Sequence, residues 1–149
     1  MKLLREYIRR TLNEMNLGQS FGTIKYTALI LDSASHSQLA SMAPEGWSIV
    51  AHHMTVISPP SQKFRMPARW LGVEECVTVT AIAQNDQVMT GMVDLGNSPI
   101  PMKGPVFPHI TIATNPETGG KPMMSNRFSA SDFKPISPVL VCGRIEEVV

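Results

Sequence analysis

Glu75-Cys76-Val77-Thr78-Val79-Thr80-Ala81-Ile82-Ala83, then Gln84-Asn85-Asp86, then Val88 to Leu95, is the most strongly patterned stretch of the chain. In its first part Val77, Val79 and Ala81 alternate with Thr78, Thr80 and Ile82, the period of a strand with one buried face. Asn and Asp in the middle supply a turn, and the β-formers from Val88 onward read as the returning strand of an antiparallel hairpin.

Similar signals flank this hairpin. Upstream, Tyr26-Thr27-Ala28-Leu29-Ile30-Leu31 reads as a strand. Asp32 or Ser33 can cap a helix running to about Met42, because a side-chain oxygen there satisfies a free N–H of the first turn. Pro44-Glu45-Gly46 is a turn, and Trp47 to Val50 and His53 to Ile57 read as one kinked strand. Prolines 59, 60 and 67 make the stretch to about Gly72 a loop. Downstream, Gly96 to Pro108 is a Pro/Gly-rich loop, His109 to Thr114 a strand, Asn115 to Lys134 mostly loop, and Pro138 to Val148 a closing strand. About seven strands and two helices predict an α+β fold with antiparallel pairing.

Ahead of this domain, Leu4, Ile8, Leu12 and Met15 recur at helical spacing and Gly18 ends the pattern. Residues 1–20 are therefore expected to form an amphipathic helix and connector, and residues 21–149 a single domain. The stripe of the helix either packs on that domain or mediates self-association or partner binding.

The 149 residues carry 13 Lys and Arg against 12 Asp and Glu, which excludes a strongly basic nucleic-acid coat but not a local basic groove. Lys63, Arg65 and Arg69 form one candidate basic stretch. No apolar run approaches the ~20 residues of a membrane span, so no membrane association is expected. Met1 to Tyr7 lacks the apolar core of an export signal, and a cytoplasmic location is expected. Cys76 and Cys142 are too few for a disulfide scaffold; they are expected as two buried thiols, with one structural disulfide as the alternative.

The four histidines carry the chemical signal. Ala51-His52-His53-Met54-Thr55-Val56 and Phe107-Pro108-His109-Ile110-Thr111-Ile112 both hold His-apolar-Thr-apolar on an expected strand, 56 residues apart. Alternation puts His53 and Thr55 on one face and Met54 and Val56 on the other, and likewise His109 and Thr111 against Ile110 and Ile112. Each segment then shows an imidazole and a hydroxyl while anchoring itself in the core. His52 alternates to the opposite face as a structural residue, and His36 sits solvated on a helix. No ligand spacing supports a zinc site, and Gly119-Gly120-Lys121 lacks the rest of a phosphate loop.

With its two His-x-Thr motifs the sequence resembles the two-histidine (2H) phosphoesterases. The surrounding Trp47-x-x-Val50-Ala51-His52-His53-Met54-Thr55 and Gly119-Gly120-Lys121-Pro122 look most like the tRNA-ligase-type, RNA-repair-like branch. The resemblance covers residues 24 to 148. It implies a bilobal fold in which two pseudo-symmetric antiparallel sheets flank a central cleft. It also implies a metal-independent phosphodiesterase without cofactor, acting on the 2′,3′-cyclic phosphate of an RNA end or nucleotide. A cyclic oligonucleotide messenger is the alternative substrate, and nucleotide-phosphate binding without turnover the alternative function. His53 and His109 take the acid–base roles, and Thr55 and Thr111 bind phosphate. Tyr26, Lys121, Ser125 and Asn126 are the remaining candidate substrate contacts, Tyr26 by stacking on a base.

Overall fold

A computed structural model describes residues 24–58, 66–105 and 107–149. The expected N-terminal helix, Lys63 and Arg65 lie outside them. The elements are β1 (Tyr26–Leu31), α1 (Ser33–Ala40), β2 (Ser48–Ile49), β3 (His53–Ile57), β4 (Glu74–Gln84), β5 (Val88–Asp94), β6 (His109–Thr114) and β7 (Lys134–Val148).

Local chemistry sets the boundaries. Asp32 Oδ1 accepts from Ser35 N at 2.8 Å and starts α1. Asn85 Oδ1 accepts from the N–H groups of Gln87 and Val88 at 2.8 and 2.9 Å, which turns β4 into β5. Along β4, Val77, Val79, Ala81 and Ala83 are buried and the residues between them are not.

Among the described residues the named strands pair antiparallel, in the order β2-β6-β3-β1-β7-β4-β5, and β5 also pairs with β6; one isolated parallel bridge joins Ile57 to Lys103. That last pairing closes β6, β3, β1, β7, β4 and β5 into a six-stranded barrel without free edges. Leu29, Met54, Val56, Val79, Ile110, Ile112, Val141 and Ile145 are fully buried in its core. Burying such side chains contributes roughly 1.5–3 kcal/mol each.

The mostly antiparallel architecture is as expected; the bilobal arrangement is not found. One ladder runs round the whole barrel. β7 spans 15 residues and pairs with β1 at one end (Leu29 opposite Ile145) and with β4 along its length (Val77 opposite Val141). A strand shared in this way leaves no gap between two separate sheets. The helix after β1 is found and ends at Ala40, two residues short of the expected Met42, and the expected loop after β6 holds three 3-10 segments within residues 116–132. β7 begins at Lys134, ahead of Pro138. A bulge at Val79/Ala81 shifts the β4–β7 register from Val79 opposite Val139 to Ala81 opposite Pro135 and so accommodates the proline.

The cysteines correct a second expectation. Cys76 lies directly opposite Cys142 across the β4–β7 ladder, Cα atoms 4.0 Å apart, and the two form a disulfide. Among the described residues no helix is long and apolar enough to cross a membrane.

Candidate active site

β3 and β6 are adjacent, and Met54 pairs with Ile110. Both are fully buried, as are Val56 and Ile112, so the core holds the alternate residues of each motif. The antiparallel sense sets His53 across from Thr111 and Thr55 across from His109, one residue to either side of that pair. All four are partly exposed and line one cleft of about 650 Å³. Tyr26, Val50, Ser58, Gly104, Pro105, Pro122, Met123 and Asn126 complete its lining. Lys121 is exposed and Ser125 fully buried, and neither lines the cleft.

A break in the ladder shapes the first motif. Ile49 pairs with Ala113 and Met54 with Ile110, so five steps on one strand match three on the other. Val50 N and Ala51 N still donate to the Ile112 and Thr111 carbonyls at 2.9 and 3.0 Å. The surplus is absorbed at Ala51, a buried residue with φ of 39° in the left-handed region that non-glycine residues avoid. Its carbonyl accepts from His36 Nδ1 at 3.0 Å, so His36, expected merely solvated, holds the strained turn from α1. Alternation fails here, and the expectation that His52 turns away is overturned. His52 Nδ1 lies 2.9 Å from His53 Nδ1, with ring centroids 5.1 Å apart at 83°. Tyr26 stacks on the His53 ring at 4.9 Å, so its ring supports the histidine.

The second motif is held differently. His109 Nδ1 donates to the Phe107 carbonyl at 2.9 Å. A carbonyl only accepts, so this bond puts a proton on Nδ1 and leaves Nε2 as the lone-pair nitrogen of the neutral ring. Phe107 packs on the His109 ring at 4.7 Å and continues into Phe133 and then Phe128. Thr111 Oγ1 lies 2.7 Å from Ser125 Oγ, which lies 2.5 Å from Thr90 Oγ1. Thr90 is fully buried. Ser125 therefore sits behind Thr111 as its support. Thr90 was missed by sequence reasoning, because its place opposite Thr111 exists only once β5 pairs with β6.

Burial lowers the pKa of both histidines. It is the largest cause for His53, joined by repulsion from His52 and His109, and the pKa falls to about 4. Burial also lowers His109, opposed by the Phe107 carbonyl. At neutral pH both rings are neutral and close enough to sense each other's charge. No Lys or Arg is among the described residues lining the cleft. An anion entering between the rings would favour their charged forms and raise both values.

Among the described residues no group of three or more His, Cys, Asp or Glu side chains is placed to hold a metal ion. Comparison with known proteins finds no family model, no curated protein and no solved structure that matches the chain.

Proposed function

We propose that the chain is a 2H-type phosphodiesterase that hydrolyses 2′,3′-cyclic phosphates of RNA ends or nucleotides by two-histidine acid–base catalysis. One observation carries this reading: His53, Thr55, His109 and Thr111, from two strands paired through their motif centres, line a single cleft.

Each residue type has work to do in that reaction. One imidazole, neutral, takes a proton from water as the water oxygen bonds to phosphorus. The other, protonated, gives a proton to the ribose oxygen as its bond to phosphorus breaks. The product is a phosphomonoester. One proton leaves the water and another reaches the leaving oxygen, so the two rings exchange protonation states over a cycle. The Thr55 and Thr111 hydroxyls donate to the non-bridging oxygens as charge builds there. The anionic phosphate itself raises the lowered pKa values and allows one ring to hold the required proton.

The test is turnover by purified protein in EDTA. The panel holds 2′,3′-cyclic nucleotides, RNA with a cyclic-phosphate end, and cyclic di- and trinucleotides, with His53→Ala and His109→Ala beside the wild type. Turnover of a 2′,3′-cyclic phosphate that disappears in both variants is expected. A folded wild-type protein that turns over none of the panel, or one that keeps its rate in either variant, overturns the reading.

A further inference from the structure

His52 and His53 share a hydrogen bond between like atoms, Nδ1 to Nδ1 at 2.9 Å. Such a bond needs a proton on one nitrogen and a lone pair on the other. The state of one ring therefore dictates which nitrogen of the other carries its proton. Geometry holds the pair together: Ala51 is turned left-handed and pinned through its N–H to Thr111 and through its carbonyl to His36. Tyr26 stacks on the His53 ring. His52 is exposed, whereas His53 lines the cleft.

We propose that His52 is a positioning residue that sets the tautomer of His53 and, by gaining or losing a proton at the surface, switches His53 Nε2 between proton acceptor and proton donor. The proposal rests on the acid–base role given to His53 above. The Nδ1–Nδ1 contact alone does not choose the tautomer of a neutral His52; in the proposed switch its proton sits on Nε2, so its Nδ1 accepts from His53 Nδ1–H, and His53 Nε2 holds a lone pair suited to a base. With His52 doubly protonated, its Nδ1 can only donate. His53 Nδ1 must then accept, and its proton sits on Nε2, facing work as a donor.

The proton count balances. His52 gains one proton from solvent. His53 stays neutral, losing a proton at Nδ1 and gaining one at Nε2. The second motif has no such freedom, because the Phe107 carbonyl holds a proton on His109 Nδ1. Among the described residues, the titratable and charged groups on the elements around the dyad are Tyr26 on β1, Asp32 at the start of α1, His36 on α1 and His109 on β6.

The experiment reads the ring nitrogens directly and needs no turnover. Protein labelled with ¹⁵N-histidine is followed by imidazole NMR across about pH 5 to 8, where histidine changes charge. Each ring is assigned separately, so titration of His36 or His109 is not mistaken for that of His52. At the alkaline end, His53 should carry its proton on Nδ1. At the acid end it should carry it on Nε2, in step with the second protonation of His52. His52→Asp places an acceptor-only carboxylate at the site and should hold His53 in its Nδ1–H form throughout. His52→Ala should abolish the exchange, with folding checked by circular dichroism.

The proposal is overturned if His52 takes no second proton in the range. It is overturned equally if His53 keeps one tautomer while His52 charges, or if the exchange persists in His52→Ala. A wild type that shows the tautomer exchange but no turnover on the nucleotide panel would sink the phosphodiesterase reading alone.

Discussion

Met54 faces Ile110 across the β3–β6 ladder, and each is the middle residue of a His-x-Thr unit. The pairing makes the two motifs neighbours related by the local two-fold of an antiparallel ladder. Each histidine then has a threonine of the other motif across from it. Such symmetry suits a reaction in which base and acid exchange roles between ring opening and its reverse.

The two histidines should therefore be equally indispensable. His53→Ala and His109→Ala are each expected to lower kcat by about 10²- to 10⁴-fold, the usual worth of a positioned acid or base. The double variant should fall little further, because residues acting as one unit are not additive. Steady-state kinetics on a 2′,3′-cyclic nucleotide tests this. Losses that multiply in the double variant would mean that the histidines act independently.

Stability should depend on pH through His53. Folded, its pKa is depressed to about 4; unfolded, it returns to the ordinary imidazole value near 6.5. Between those values the unfolded chain binds the extra proton. The contribution of His53 is thus fully present above about pH 6.5 and lost as pH falls toward 4. The lowered pKa of His109 acts in the same direction. Thermal midpoints should drop on acidification over this window, and His53→Gln should flatten the curve. A variant that follows the wild-type curve unchanged would refute the assignment to His53.

The buried hydroxyl chain gives a third expectation. Ser125 Oγ joins Thr111 to Thr90, and both Ser125 and Thr90 are fully buried. Ser125→Ala leaves the Thr90 hydroxyl without this partner, a loss of about 1–3 kcal/mol. It also leaves the Thr111 hydroxyl with only its longer bond to the Pro122 carbonyl at 3.3 Å, so activity should fall although Ser125 does not line the cleft. Denaturant unfolding and kinetics measure the two effects separately. A variant with lowered stability and unaltered kcat/KM would show that Ser125 does not position Thr111.

These relationships differ in how far the residues reveal them. β1, the Asp32 cap, the β4–β5 hairpin and the motif strands are local: periodicity, a capping side chain or a turn residue marks each. Closure of the barrel is not local. Alternation in β4 and β5 says which face is buried but not that β5 goes on to pair with β6. The same gap hides Thr90 opposite Thr111 and Cys76 opposite Cys142. His52 was misplaced for another reason. Its expected direction extends the alternation of His53 to Ile57 one residue back into the kink, and alanine gives no sign that the kink is a left-handed turn at Ala51.

Ala51 supplies the last expectation. Left-handed backbone costs a non-glycine residue roughly 1–2 kcal/mol, and here that conformation directs both His52 and His53. Glycine adopts φ of 39° freely, so Ala51→Gly relieves strain while losing a buried methyl group and adding freedom to the unfolded chain. These effects oppose each other, and stability should stay within about 1 kcal/mol of wild type, with the His52–His53 contact kept. Ala51→Val places a β-branched side chain where such residues are outliers and should destabilise by about 2 kcal/mol or more. If the strand instead relaxes to regular alternation, the valine variant will fold well but lose the contact between the two rings. Unfolding curves of both variants, read with histidine-ring NMR, separate these outcomes. Equal destabilisation by glycine and valine would show that packing of the methyl group, and not backbone conformation, fixes this position.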